Sequence, residues 1–321
     1  MSKMLWRYLI AVGIMGGSCR RDFTIEGTAG DWKPVLYCIP STLRDTTYIQ
    51  FSWSRPLNGG TEVATRTEST DVSFRLNGVE KEVNSSALQK GGISGSLFYV
   101  PGRLQEGDKV EVRVALPHGE PVAAKTVIPS EFPLRGVEVF DVEAYGKKAV
   151  RFRVTFRDCP ETVDYYGIRV WCRHFVEGRS TGNPTPCPLV LNTDREPLMN
   201  DKFGVDGVFH LSEGFYQDLY IYDDRKINGR IYTLSLDFIG EDAGTSDLFD
   251  DKLLYKLEMY ALSEDLYKYL KSLNALNNND LGKAGLAPVH KKYSNIVNGI
   301  GIVAGCNIYE TGWMEASSLS D

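Results

Sequence analysis

The amino-acid sequence predicts a mainly β protein, because short segments of alternating apolar and polar residues recur along most of the chain. Alternate residues of a β-strand point to the same face of a sheet, so this pattern is typical of half-buried strands. The 321 residues also include 17 Tyr and 5 Trp, and aromatic side chains are enriched in strands. We therefore expect packed β-sheets with few helices.

The first predicted domain covers residues 33–130. Asn77-Gly78 separates two short runs of this domain, and the dipeptide favours the tight turn of a β-hairpin. About seven short strands with turn residues between them match an immunoglobulin-like β-sandwich in size and rhythm, although the Cys…Trp…Cys pattern of antibody domains is absent. The clearest strand segments are residues 48–53, 71–77, 109–116 and 122–128.

A second, β-rich domain is predicted for residues 131–321. Pro129, Pro133 and Gly136 interrupt the strand pattern, so we place the domain boundary there. Alternation then resumes in residues 148–157. We expect the segments 230–239 and 253–262 to pair with each other across the acidic loop 240–252. The strands expected after residue 157 are residues 165–175, 230–239 and 253–262.

The alternation also predicts which side chains are buried. Val110 and Val112 of the first domain hold apolar positions, as do Phe152 and Val154 of the second, so all four are expected in the cores. The charged positions beside them, which we expect to be largely exposed, are Arg151 and Arg153.

One helix is predicted at about 264–276. Ser263 is a favourable N-cap, and the two acidic residues that follow it suit the positive end of the helix dipole. Three asparagines from Asn277 onward are expected to end the helix. The apolar stripe at helical spacing consists of Leu266, Tyr269, Leu270 and Leu273.

The N-terminus has the pattern expected of an export signal. Lys3 and Arg7 flank a short charged start, residues 8–15 are an apolar run, and small residues then lead directly to Cys19. This arrangement resembles the signal peptide and lipobox of a bacterial lipoprotein. It predicts cleavage after residue 18 and lipidation of Cys19, with residues 19–32 as a tether.

Two other interpretations of this N-terminus differ in how well they fit. A membrane-spanning helix needs about 20 apolar residues, and the run here is about half as long. An ordinary secretory signal stays open, because its cleavage site also favours small residues and because Gly16 occupies a place where a lipobox usually has Leu.

Charge and cysteine content narrow the function classes. The net charge of −6 becomes −8 once Lys3 and Arg7 are removed with the signal peptide, and without a basic stripe we expect no nucleic-acid partner. The spacing of the remaining cysteines does not predict zinc. A disulfide among Cys159, Cys172 and Cys187 stays open, with a buried, unpaired thiol favoured at Cys172.

Several segments resemble motifs for catalysis, cofactor binding or metal binding, but each departs from the motif. Gly92–Ser96 has Ser where a nucleophile elbow needs Gly. Gly299–Gly305 has one residue too many for a dinucleotide fingerprint, and a Gly-rich edge strand or bulge explains it better. The acidic residues within 241–251 lack the spacing of a calcium loop, and the four histidines are scattered. We therefore expect no enzyme activity and no catalytic, cofactor or metal site.

Two C-terminal segments carry a family resemblance. Residues 262–270 read Leu-Ser-Glu-Asp-Leu-Tyr-Lys-Tyr-Leu, and residues 294–302 read Ser-Asn-Ile-Val-Asn-Gly-Ile-Gly-Ile. These segments resemble a Bacteroidota envelope lipoprotein family known as domain of unknown function 4249, with one departure at Asn298, where Gly is usual. Asn295 and the glycines of this pattern look structural.

The resemblance implies a non-enzymatic lipoprotein of the outer membrane, tethered through its lipid. It also implies an accessory role beside a TonB-dependent outer-membrane receptor, through solute capture or docking on the receptor. A surface adhesin or matrix-binding module is the alternative, and an envelope hydrolase is third. Whether the protein faces the periplasm or the cell surface stays open, because Arg20-Arg21-Asp22 is not a run of acids.

Overall fold

The computed structural model of the protein describes residues 32–54, 71–90, 93–175, 185–199, 215–239, 252–279 and 291–318. The described residues from Lys33 onward belong to one compact unit. They form two β-sandwiches and one α-helix, which agrees with the mainly β fold expected from the sequence. None of the helices in this part of the chain is both long and apolar enough to cross a membrane.

The N-terminal sandwich has the strand order of immunoglobulin domains. Its first sheet contains β1 (Pro34–Cys38), β2 (Thr46–Trp53), β5 (Asn84–Lys90) and β6 (Ile93–Pro101). Its second contains β3 (Asp71–Leu76), β4 (Val79–Lys81), β7 (Lys109–Ala115) and β8 (Val122–Val127). The orders β1-β2-β6-β5 and β4-β3-β7-β8 correspond to immunoglobulin strands A-B-E-D and C′-C-F-G. The immunoglobulin-like sandwich is therefore confirmed by strand pairing.

The alternating residues of this sandwich fill its core as expected. Val110 and Val112 are buried between the sheets together with Ile49 and Phe74. The predicted hairpin is also confirmed, since Asn77 (φ 54°) and Gly78 (φ 81°) connect β3 to β4. Positive φ at both central residues is what the favoured two-residue hairpin turn requires.

The second sandwich also consists of two sheets. One contains β9 (Leu134–Ala144), β10 (Lys147–Arg157) and β14 (Ile231–Phe238), in the order β14-β10-β9. The other contains β12 (Cys187–Pro188), β11 (Tyr165–Phe175), β15 (Lys252–Leu262) and β17 (Cys306–Glu310), and β13 (Tyr220–Asp223) also pairs with β11. Phe152 and Val154 are buried in the core between these sheets, as predicted.

The expected pairing of residues 230–239 with 253–262 is wrong. β14 pairs with β10, whereas β15 lies between β11 and β17 in the other sheet. Leu234 and Leu257 contribute to the same core from opposite sheets. Alternation indicates which face of a strand is buried, but it does not specify the partner strand.

The exposure predicted for Arg151 is also wrong. Its side chain is only 25% exposed, because Asp237 lies opposite it in the register of β10 and β14. The Arg151 Nε donates to Asp237 Oδ1 at 2.7 Å and Nη2 donates to Oδ2 at 2.9 Å, and this bidentate pair holds the guanidinium on the sheet. The Arg153 side chain is 44% exposed, in line with the prediction.

The predicted helix is α1 (Glu264–Asn277), with Ser263 as its N-cap. The backbone N–H of Leu266 donates to the Ser263 side chain at 3.4 Å. Leu266 and Leu270 are buried against the outer face of the sheet that contains β11 and β15. The predicted stripe omitted Tyr267, which stacks on Tyr165 with ring centroids 4.7 Å apart.

The C-terminal segment joins both sandwiches. β16 (Ile300–Val303) pairs in parallel with β1 at the edge of the first sheet, and β17 pairs with β15 in the second sandwich. Most buried residues in the core of the first sandwich lie between Leu36 and Ile128, but the core also includes Ile296 and Val303. The sequence did not indicate this contribution of late residues to the first sandwich, and the division into domains at residue 130 stays a prediction.

Candidate functional site

The structure describes only part of what the sequence singled out. Cys19, the acidic residues of loop 241–251, His210 and His290 lie outside the described residues. His118 is exposed after β7, and the backbone of His174 pairs with Leu253 in β11 and β15. The remaining candidates for chemistry are therefore groups that the fold brings together.

Three aspartates form a cluster at one end of the second sandwich. Asp158 follows β10, Asp164 precedes β11 and Asp224 follows β13, and one carboxylate oxygen from each lies within 4.8 Å of the others. Asp158 and Asp224 are almost fully buried. Burial raises the pKa of Asp164 and Asp224, although in each case a donated hydrogen bond opposes the rise. No sequence pattern indicated this cluster, because Asp224 lies far along the chain from the other two aspartates.

Protein donors satisfy oxygens of this cluster. The Tyr166 hydroxyl donates to Asp158 at 2.7 Å, and the Gly229 N–H donates to the other oxygen of Asp158 at 2.8 Å. The Asp164 N–H donates to Asp224 at 2.7 Å. These hydrogen bonds connect the ends of β10, β11 and β13. The cluster therefore has a structural role in holding these strand ends together. Carboxylate oxygens are ligands that Ca²⁺ and Mg²⁺ prefer, so the three aspartates are also the described residues whose spacing suits a metal ion.

A second group of polar residues joins the start of α1 to β16. The Asn295 amide nitrogen donates to Asp265 Oδ2 at 2.9 Å and to the Val303 carbonyl at 2.8 Å, while its oxygen accepts from the Val303 N–H at 3.0 Å. The Tyr293 hydroxyl donates to the other oxygen of Asp265. Asn295 thus pairs with both backbone groups of a fully buried residue, which agrees with its predicted structural role.

The glycines after Asn295 serve close backbone packing. A Cβ atom at Gly301 would lie 2.0 Å from the Leu36 carbonyl oxygen, and one at Gly305 would lie 2.9 Å from that of Val127. Gly301 also has a φ of +122°, a conformation in which only glycine is unstrained. These contacts fit the Gly-rich edge strand expected from the sequence, and β16 is such an edge strand.

The outer face of β11 and β15 carries aromatic and cationic side chains, and we call this group the aromatic–cationic face. It consists of Arg169, Trp171, Arg173, Lys256 and Trp313. The Arg173 guanidinium lies 4.3 Å from the centre of the Trp313 ring, and the Arg169 guanidinium lies 5.6 Å from that of Trp171. Lys256 lies over Trp313 at 5.7 Å. Tryptophan and arginine are the residue types that dominate binding energy at protein interfaces.

Sequence reasoning did not identify the aromatic–cationic face, although the signal was present. Arg169, Trp171 and Arg173 alternate with the buried Val170 and Cys172 along β11, and residues two apart share one face of a strand. Trp313 comes from the segment after β17, so only the fold shows that it lies beside Arg173. Within the described part of the chain, Trp171 Nε1 and Arg173 Nε are buried donors without a hydrogen-bond acceptor.

Comparison with solved structures finds only distant likeness. A crystal structure of titin domains A168–A170 has 10% identity and a TM-score of 0.20, with coverage of 71% of this chain and 60% of the titin chain. The mouse nectin-like molecule 4 ectodomain (Ig1–Ig3) has 10% identity and a TM-score of 0.22, with coverage of 90% and 65% respectively. The chain thus spans less than two thirds of either protein's length.

The amino-acid sequence matches the model of one protein family. No curated protein matches the chain. The family model described as "Domain of unknown function (DUF4249)" matches residues 20–311. This match covers both sandwiches, α1 and β16, and it includes the two segments that carry the resemblance noted in the sequence. The chain therefore belongs to the DUF4249 family.

Proposed function

We propose that this protein is an outer-membrane lipoprotein, anchored through an acylated Cys19, that assists a TonB-dependent transporter without catalysing a reaction. It would do so by capturing the solute or by docking on the receptor. The observation that carries the proposal is the charged start, apolar run and small residues of positions 1–18, followed directly by Cys19. Two or more acyl chains hold a protein stably at a membrane, whereas a single chain binds only marginally.

The described residues support a recognition role over a catalytic one. The carboxylate cluster of Asp158, Asp164 and Asp224 is held by donors that connect strand ends. The Gly-rich segment around Gly301 packs on the backbone of β1. By contrast, the aromatic–cationic face has the residue types that bind partners. Glu258 and Glu310 lie beside this face and pair with Arg169 and Lys256 respectively, which fixes the two cations on the sheet.

The anchor is tested by Cys19→Ala in the native host. Without the thiol no diacylglycerol can be attached, so we expect the variant to leave the outer-membrane fraction or to accumulate with its signal peptide uncleaved. Fractionation and immunoblotting measure both results. Cys159→Ser is the matched control, because it removes an exposed thiol elsewhere and should fractionate like the wild type. An unchanged distribution and mass of the Cys19 variant would overturn the anchor.

The partner is tested by purifying the lipidated protein from outer membranes after cross-linking. We expect a TonB-dependent receptor to be the cross-linked protein, with cross-links beside Trp313. Trp313→Ala should reduce the yield of the complex at least about tenfold, as expected for a central aromatic residue of an interface. Tyr48→Ala is the control, because Tyr48 is an aromatic residue, 47% exposed, in the first sandwich.

The outcome of this cross-linking experiment separates the candidate functions. Recovery of a receptor with the wild type and the Tyr48 variant, but not with the Trp313 variant, supports the accessory role at the aromatic–cationic face. Cross-links to extracellular matrix or to other cells, with no receptor, would replace the accessory role with that of an adhesin.

A further inference from the structure

We propose that Cys172 and Cys187 form a disulfide bond in the exported protein. The two residues lie directly opposite each other in the antiparallel ladder of β11 and β12. Their sulfur atoms are 3.4 Å apart, and both are thiols in the structure. The inference rests on the export part of the proposed function, because disulfides persist in oxidising compartments.

The backbone geometry is already suited to the bond. Residues that face each other across antiparallel strands have Cα atoms about 4.5–5.5 Å apart, which falls within the range found in disulfides. Leu189 N–H donates to the Val170 carbonyl at 2.8 Å and so holds the ladder two residues further along. Oxidation therefore requires a small closing of the side chains and no change of strand pairing.

The other described cysteines do not offer such a pair. Cys159 lies in the loop after β10, and its thiol donates to Glu161 at 3.0 Å. Cys38 belongs to the core of the first sandwich, whereas Cys306 belongs to the separate apolar cluster that contains Leu266 of α1. If Cys19 is acylated, five cysteines remain, and this odd number is consistent with one bond between Cys172 and Cys187 and three thiols.

The oxidation is a thiol–disulfide exchange with a dithiol–disulfide oxidant of the envelope. Cys187 is the exposed member of the pair, so its thiolate attacks a sulfur of the oxidant disulfide, and the oxidant's other sulfur leaves as a thiolate. Cys172 then loses its proton and attacks the Cys187 sulfur, which releases the second oxidant thiol. Two protein thiols are oxidised, one oxidant disulfide is reduced, and the two protons lost are taken up by the oxidant thiolates.

Peptide mapping of the full-length protein tests the bond. Protein from the envelope fraction is alkylated without reduction and digested with trypsin. We expect residues 170–173 to be recovered joined to residues 180–195, two hydrogens lighter than the separate peptides, and to separate on reduction. Alkylated Cys172 and Cys187 in envelope protein would overturn the inference. So would a linked peptide that contains Cys159 in place of either residue.

Matched variants and a purified sample keep this test independent of the anchor. Cys159→Ser should retain the linked peptide, whereas Cys187→Ser should abolish it and leave Cys172 to be alkylated after unfolding. Purified wild-type protein exposed to oxidised glutathione should form the same link, and reduction should lower its Tm by roughly 5–10 °C. If this protein is found in the cytosol, the export proposal is contradicted. The sample oxidised with glutathione would then be the test of whether Cys172 and Cys187 can form the bond.

Discussion

Gly301→Ala is expected to lower the free energy of unfolding by more than about 4 kcal/mol, which is exceptional for the addition of one methyl group. The new Cβ would lie 2.0 Å from the carbonyl oxygen of Leu36, and a backbone atom of a paired strand cannot rotate away. The φ of +122° adds strain for any residue with a side chain. Because Gly301 faces Leu36 in the parallel ladder, we expect β16 to separate from β1.

Urea unfolding followed by circular dichroism and tryptophan fluorescence measures this loss. Gly136→Ala is the matched control, because Gly136 also lies in a strand but has open space where the Cβ would be. We expect that control to remain within about 1 kcal/mol of the wild type. Equal unfolding midpoints for the two variants would show that the approach of β16 to β1 does not depend on glycine.

Asn295→Asp is expected to cost about 3 kcal/mol at pH 7 and less at pH 5. The substitution keeps the shape of the side chain but removes the two bonds that the amide donates to Asp265 and to the Val303 carbonyl. It also places a second carboxylate beside that of Asp265. A buried acceptor left without its donor costs about 1–3 kcal/mol, and the repulsion between the carboxylates adds to this loss.

The pH dependence follows from the direction of the pKa shift. A carboxyl at position 295, next to Asp265, would have a higher pKa in the folded protein than in the unfolded chain. The folded state would then bind the proton more tightly, so the variant regains stability as the pH falls toward that raised pKa and loses it as the pH rises. The protonated carboxyl can also donate to Asp265, as the amide does.

Denaturation of this variant at the two pH values provides the measurement. Asn298→Asp is the control, because Asn298 lies three residues away on an exposed turn, where its amide donates to the Pro121 carbonyl at 3.1 Å. That control should cost less than about 1 kcal/mol with little dependence on pH. A cost for Asn295→Asp that is the same at pH 7 and pH 5 would contradict the proposed contact with Asp265.

Gly301 and Asn295 show which structural features a sequence pattern can predict and which it cannot. The segment 294–305 indicated a structural role for Asn295 and a Gly-rich edge strand, and both agree with the structure. The pattern did not indicate that β16 would run parallel to β1 across an interval of more than 260 residues. Glycine signals that some backbone approaches closely, but the identity of that backbone depends on the complete fold.

Features that depend on neighbours in the chain were determined by the sequence itself. The alternation in β7 and β10, the Asn77-Gly78 turn and the Ser263 cap were predictable, because strand periodicity, positive φ and capping are satisfied within a few residues. The export signal predicted before Cys19 is likewise a local pattern, and it stays a prediction.

Features that depend on which strand lies beside which were decided only by the tertiary structure. β14 and β15 are close in sequence but belong to different sheets, and Arg151 is half-buried because register places Asp237 opposite it. Strand pairing also brings together the three aspartates around Asp158 and the thiols of Cys172 and Cys187. Many pairings can bury the same apolar faces, so the choice among them depends on packing and polar partners summed over the whole fold, which no single segment encodes.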